Sequence, residues 1–177
     1  MKTIIKYKLI EPMCIPSVNA KGDWIDLSAS KTIEINAPVA DTLKKRNGDK
    51  VRLVNFDRRL IPLGIAMKLP KGYEAVVLPR SSTFGKYSII MTNSEGVIDN
   101  SYSGNNDEWK FPALAFQKTT IGQGQRICQF RIQLSQNATV WQKLKWLFSS
   151  GIRLQRVESL DYIDRGGFGS TDNYIEK

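Results

Sequence analysis

The stretch Gly96-Val97-Ile98-Asp99-Asn100-Ser101-Tyr102-Ser103-Gly104 holds the sharpest chemistry in the chain. Two β-branched residues deliver Asp99 to the mouth of a hairpin, Tyr102 follows three residues later, and Gly104 permits a turn. An acid beside an aromatic plate suits a sugar: the ring covers its face and the acid takes a hydroxyl. The same acid can activate a water. A hairpin with a turn Asp and a packing Tyr explains the stretch alone equally well.

Four other segments carry donors or acids. Pro79-Arg80-Ser81-Ser82-Thr83 follows an apolar run and sets a guanidinium and hydroxyls at a strand end. That pairing fits phosphate oxygens, because Arg offers a planar fork and Ser adds short donors. Gly122-Gln123-Gly124-Gln125-Arg126-Ile127-Cys128-Gln129 places Arg126 and Gln129 on a strand after a glycine turn. Arg165-Gly166-Gly167-Phe168-Gly169-Ser170-Thr171 lacks the Lys of a P-loop and reads as a closing lid. Asp26 lies near a strand start and could hold a hydrated Mg²⁺ or serve as a turn carboxylate.

Composition narrows the chemistry. The chain has 177 residues and no histidine, which removes Ser-His-Asp hydrolysis and His-based zinc sites. Any acid or base must be a carboxylate, Lys, Tyr or Cys, and a metal should be a hard ion such as Mg²⁺. Lys and Arg number 26 against 17 Asp and Glu, a net charge of +9 that attracts polyanions, nucleic acid or a nucleoside triphosphate. Two cysteines and no apolar leader block near Met1–Ile10 suggest a reduced, cytoplasmic protein.

The elements that must position these groups read mostly as strands. Leu63, Ile65, Met67 and Leu69 alternate with their neighbours, as do Cys128, Phe130, Ile132 and Leu134, and Ile33 with Ile35. Turn punctuation recurs at Gly22-Asp23, Asn47-Gly48-Asp49 and Pro70-Lys71-Gly72. An all-β sandwich or barrel follows. One segment breaks the pattern: Trp141, Leu144 and Phe148 recur at helical spacing over Ala138–Phe148, with Asn137 as the expected start cap and Gly151 the end cap. Ala40–Arg59 reads as a polar, basic insertion.

In chain order these segments resemble the five motifs of the trimeric dUTP diphosphatase (dUTPase) family. The match runs through Asp26-Leu27-Ser28-Ala29, Pro79-Arg80-Ser81-Ser82, Gly96-Val97-Ile98-Asp99 with Tyr102 and Gly104, Gly124 to Gln129, and Arg165 to Thr171. The resemblance implies a jelly-roll-like β fold, one short helix, a homotrimer with shared sites, and Mg²⁺-assisted cleavage of dUTP to dUMP and pyrophosphate. That reaction limits uracil incorporation into DNA and supplies dUMP for dTMP synthesis.

The same resemblance implies roles. Asp99 orients and deprotonates the water and binds the 3′-hydroxyl; Tyr102 packs on deoxyribose and rejects UTP. Asn93 sits near uracil, and the backbone from 93 to 99, including Gly96 and Ile98, reads the base edge. Arg80, Ser81 and Ser82 hold the phosphates, Gln129 approaches the α-phosphate, and Asp26 anchors a water on Mg²⁺. Arg165, Gly169, Ser170 and Thr171 close on the γ end, and Phe168 covers uracil.

Residues 1–164 are then one β domain with insertions at about 40–59 and 136–151, and 165–177 form a lid arm. The chain departs from the family pattern at Asp23-Trp24-Ile25, where Ala-Gly-Tyr is usual, and at Asp172, which replaces a common Gly. Its last motif is two residues shorter than usual, like that of a bacterial and phage branch whose lid aromatic comes from just after the third motif. Trp109 and Phe111 therefore compete with Phe168 for that place. Two other readings stand beside hydrolysis: a dCTP deaminase of the same fold, which the polar setting of Glu108 disfavours, and a regulatory module that docks a protein through 40–59 or the Trp-bearing helix.

Overall fold

Alternating apolar side chains become strands wherever one face is buried, and the period-two segments do so here. The computed structural model describes residues 2–18 and 22–167; Met1, 19–21 and 168–177 lie outside the described residues. In chain order the elements are β1 (Thr3–Leu9), β2 (Ser17–Val18), β3 (Ile25–Ser28), β4 (Ile33–Ile35), β5 (Val39–Lys44), β6 (Lys50–Asn55), β7 (Arg58–Pro62), β8 (Ile65–Lys68), β9 (Tyr73–Pro79), α1 (Thr83–Tyr87), β10 (Ile89–Met91), β11 (Gly96–Asp99), β12 (Lys110–Ala115), β13 (Thr119–Ile121), β14 (Arg126–Leu134), α2 (Val140–Leu147) and β15 (Ile152–Arg156).

The largest sheet has the order β11-β9-β14-β3-β2 and is antiparallel throughout. Three-stranded sheets β15-β1-β8 and β10-β12-β7 and the pair β13-β4 make up the rest of the sandwich, with β15 parallel to β1. Between the sheets lie Ile5, Leu27, Ile61, Met67, Phe111 and Phe130, each essentially fully buried. Trp109 meets Phe130 edge to face, with ring centroids 5.2 Å apart. Burying such rings drives the collapse, at about 25 cal/mol per Å² of apolar surface. The result is the β-rich sandwich expected from the alternation, consistent with the jelly-roll-like fold that the resemblance implies.

Local departures from that expectation have physical causes. Leu63 to Leu69 is not one strand, because Gly64 takes φ 66° and ends the pairing before β8. A Cβ on Gly64 would lie 2.8–2.9 Å from the Cβ atoms of Glu11 and Cys14. A bulge in β14 between Arg126 and Cys128 lets both Ile127 and Cys128 enter the core. A second helix, α1, winds one turn after Ser82.

Helix α2 is shorter than the pattern suggested. Its cap is Thr139, not Asn137: the Thr139 hydroxyl accepts from Gln142 N (3.3 Å) and the Gln142 side chain accepts from Thr139 N (2.7 Å). It ends on Phe148 rather than at Gly151. Trp146 packs on Tyr73 while Trp141 stays 81% exposed. The segment 40–59 is not a loop. Most of it is the antiparallel ribbon β5–β6, paired from Val39–Asn55 to Lys44–Lys50 around the Gly48 turn.

Replacing Gly64 with Ala forces a left-handed alanine against Cys14. The expected loss is at least about 1 kcal/mol, read as a lower urea midpoint at fixed protein concentration.

Candidate active site

Strand β11 ends on Asp99, held there by pairing with Glu74 of β9. The chain then turns, with Tyr102 N donating to the Asp99 carbonyl at 3.2 Å. Asp99 Oδ1 accepts from Ser101 N at 2.7 Å and from the Ser101 hydroxyl. Its Oδ2 accepts from Arg165 Nη1 at 2.6 Å. Partial burial pushes the Asp99 carboxyl up, but the Ser101 and Arg165 contacts together outweigh that and hold it below the ordinary carboxylate range. Asp99 is therefore ionised at neutral pH, as a proton acceptor must be.

Tyr102 is set as a wall rather than an acid. Its phenol donates to the Glu108 carbonyl at 2.8 Å. Burial, then the charges of Asp107, Glu108 and Asp164, push its pKa up to about 12. Between Tyr102 and the 93–99 hairpin lies a cleft of about 240 Å³, lined by Asn93, Gly96, Ile98, Asp99, Tyr102 and Arg165 among others. A Cβ on Gly96 would come 2.7 Å from Met91 Cε, so a side chain there would have to displace the end of that methionine. The structure thus brings together the residues expected around the nucleoside.

A second group forms elsewhere on the same sheet. Asp26, on β3, is buried and accepts from Arg80 Nε at 2.9 Å and from Arg126 Nη1 at 3.2 Å. Arg80 is placed by a locked turn: Thr83 Oγ1 donates to the Ile127 carbonyl (2.6 Å) and accepts from Arg80 N (3.1 Å). Ser81 and Ser82 are exposed beside it, and Gln129 sits opposite Asp26 across the β14–β3 pairing. Among the described residues, no group of three or more Cys, Asp or Glu side chains could hold a metal. Asp26 keeps a second lone pair on each oxygen, enough to accept from a metal-bound water.

The two groups do not meet within one chain. Asp99 lies opposite Glu74 and Gln129 opposite Leu78, so the phosphate-type donors begin four residues along β9, roughly 13 Å away, with Arg80 further still. Phe168, Gly169, Ser170 and Thr171 fall outside the described residues. Trp109 and Phe111 are both fully buried in the core, so neither is a mobile lid. Arg165, expected at the γ-phosphate, here meets Asp99. The thiols are excluded as nucleophiles: Cys14 is raised to about 11 by burial, then by Glu11 and Glu108, and burial raises Cys128 strongly.

Sequence reasoning missed Ser101, whose spacing of two from Asp99 is an Asx-turn signal. It also gave no role to the polar run around Glu108, where Asp107 is only 1% exposed and Glu108 Oε1 accepts from Gly64 N at 2.9 Å. Gly104 takes no left-handed φ; it is bare because Asp164 lies against it.

An ionised acid and a fixed ring thus share one cleft of the β-sandwich, and two arginines gather on a buried aspartate at the other end of the same sheet. A family profile described as dUTPase matches residues 48–144, more than half of the chain. The SPbeta prophage-derived deoxyuridine 5'-triphosphate nucleotidohydrolase of Bacillus subtilis is 43% identical over 151 residues, covering 85% of this chain and 84% of that protein. The deoxyuridine 5'-triphosphate nucleotidohydrolase of Finegoldia magna is 36% identical over 133 residues, covering 73% of this chain and 81% of its own. Among solved structures, the Streptococcus mutans dUTPase superposes with a TM-score of 0.58 at 21% identity, covering 73% of this chain and 94% of its own. A mutant dUTPase from phage phi11 of S. aureus, described with a structural Mg(II) ion, gives 0.58 at 14% identity, covering 77% of this chain and 94% of its own. This chain belongs to the dUTPase family.

Because the Asp99 carboxyl is lowered, its charged form persists down to acid pH and is lost only as pH falls through that lowered value. The acid limb of kcat/KM is expected below the ordinary carboxylate range. Arg165→Met removes one of the lowering contacts, so the limb should move to higher pH in a pH–rate profile.

Proposed function

We propose that this protein hydrolyses dUTP to dUMP and pyrophosphate, and that it does so as a homotrimer. The observation that carries the reading is the ionised Asp99 facing a nucleoside-sized cleft beside the Tyr102 ring. Ser101 holds Oδ1 from behind, which leaves Oδ2 toward the cleft once Arg165 turns to a phosphate. Asp99 then takes a proton from water, the resulting hydroxide attacks the α-phosphorus, and the bond to the α–β bridging oxygen breaks. Pyrophosphate leaves with its charge met by Arg80, Ser81, Ser82 and Gln129.

The fixed Tyr102 ring stands against the 2-position of the sugar and disfavours a ribose hydroxyl. Asn93 and the backbone at Gly96 and Ile98 face the base. Phe168 to Thr171, with Arg165, would complete the closure.

Mg²⁺ fits this donor set. It commonly keeps several waters and binds through one or two carboxylates plus substrate phosphates, and Asp26 supplies one such carboxylate through a water. When bound, the ion gathers phosphate oxygens and offsets their charge.

The trimer follows from the separation along β9. One nucleotide needs both Asp99 and the Arg80 group, which a single chain keeps apart, so the Arg80 group of a neighbouring subunit would complete each cleft. Two buried, unpaired cysteines suit a reducing, cytoplasmic setting, and no described helix is long and apolar enough to cross a membrane. Glu108 holds Gly64 N and is not among the residues lining the Asp99 cleft, which disfavours it as the base for dCTP deamination. A protein-docking role alongside catalysis is favoured by one observation: Val140, Trp141, Leu147 and Phe148 leave α2 with an exposed apolar face.

Pyrophosphate release measured side by side with dUTP, UTP, dTTP and dCTP, with and without Mg²⁺, should show turnover of dUTP alone. Ammonia release from dCTP at a matching rate would overturn the assignment. Asp99→Asn should keep the trimer and dUTP binding and lower kcat by at least about a hundredfold. Coexpressed Asp99→Asn and Arg80→Ala chains, each inactive alone, should regain turnover as mixed trimers. No recovery would mean that both groups act within one chain.

A further inference from the structure

The loop Asn105-Asn106-Asp107 carries no part of the reaction described above, yet it buries a carboxylate. We propose that Asp107 is a positioning residue for the reaction: it grips the root of the C-terminal arm and so delivers Arg165 to the Asp99 cleft. The inference rests on the hydrolytic reading for its kinetic arm only.

Asp107 accepts from main-chain N–H groups on two segments. Oδ2 takes Gly104 N at 2.8 Å and Arg165 N at 2.9 Å; Oδ1 takes Gly166 N at 2.9 Å, with Arg165 N also 3.1 Å away. Hydrogen bonds to an ionised acceptor are roughly twice as strong as neutral ones. Two of these donors are consecutive, so the carboxylate fixes the chain's direction as well as its place. That direction matters at Arg165, whose side chain meets Asp99.

The neighbours of Asp107 follow the same segment. Asn106 N and Nδ2 donate to the two oxygens of Asp164 at 2.8 and 2.6 Å. Asn105 Oδ1 accepts from Leu160 N at 2.9 Å. Gly104 gives independent support: a Cβ there would fall 2.7 Å from Asp164 N and closer still to its Cα. Beyond the grip, Gly166 turns left-handed (φ 73°), and a Cβ on Gly167 would lie 2.9 Å from Tyr102 Cε2. The arm root thus lies against the cleft wall. A loop that only needed to be stable could bury an apolar residue; a carboxylate aimed at Arg165 N and Gly166 N serves the arm.

The test uses the full-length protein in four forms: Asp107→Asn, the milder surface change Asn106→Ala, Arg165→Ala, and the Asp107→Asn/Arg165→Ala double variant. Limited trypsin digestion with mass spectrometry follows cleavage after Arg165 in the forms that retain it. Asp107→Asn should speed that cleavage by about tenfold or more while other sites are unchanged, and Asn106→Ala should speed it less.

With dUTP, Asp107→Asn should lower kcat by about tenfold or more, with dUMP affinity retained. The double variant should be no slower than Arg165→Ala, because both changes remove the same delivered group. Unchanged cleavage after Arg165 in both Asp107→Asn and Asn106→Ala, or a kcat loss that multiplies in the double variant, overturns the proposal. If the wild-type protein fails to turn over dUTP, the hydrolytic reading falls, and the digestion still decides whether Asp107 grips the arm.

Discussion

The ladder between β9 and β14 fixes everything else. Seven residue pairs, from Cys128–Pro79 to Leu134–Tyr73, set these strands in register. Each strand carries chemistry at its ends or on its outer edge: β9 hands Arg80 to the turn beyond Pro79 and holds β11, while β14 presents Gln129 and pairs with Asp26. A slip of one residue would turn every side chain to the opposite face. Asp26 would then leave its arginines, and Phe130 would leave Trp109. The sheet's pairing is therefore what keeps the buried Asp26 carboxylate beside its two partly exposed guanidinium partners.

Electrostatics divides the labour along this sheet. At one end the net positive charge of the chain is focused by Arg80 and Arg126 around a single acid. At the other, Asp99 is kept ionised by short local contacts. In the proposed reaction this separation has a chemical use: a base tied permanently to Arg80 would be a poor proton acceptor. Arg165 is the exception: it meets Asp99 directly, and in the proposed reaction that contact would be exchanged for one to phosphate.

How much of this was legible follows from which residues face a core. Phe130, Ile132 and, in β1, Ile5 and Tyr7 alternate because one side of each strand is buried, and such alternation is what let the sandwich be read. The β5–β6 ribbon could not, since both of its faces meet solvent and leave no alternation. The order of the motifs pointed to Asp99, Tyr102 and the Arg80 turn. Asp107 was hidden because a buried acid held by main-chain N–H groups has the same letters around it as a solvated one. Gly104 was noticed for the wrong reason, since a glycine's need for space cannot be told from its need for an unusual φ without the neighbour in view. Trp109 and Phe111 were open as lid residues only until their burial was known.

The four tryptophans have very different surroundings. Trp109 is sealed against Phe130 and borders the Asp99 cleft, whereas Trp141 stands almost wholly in water. Light absorbed by the first is emitted from a dry, rigid site, and light absorbed by the second from a wet and mobile one. The molecule thus places one indole beside the cleft in a dry setting and another far out in water, two emitters of different colour within one chain.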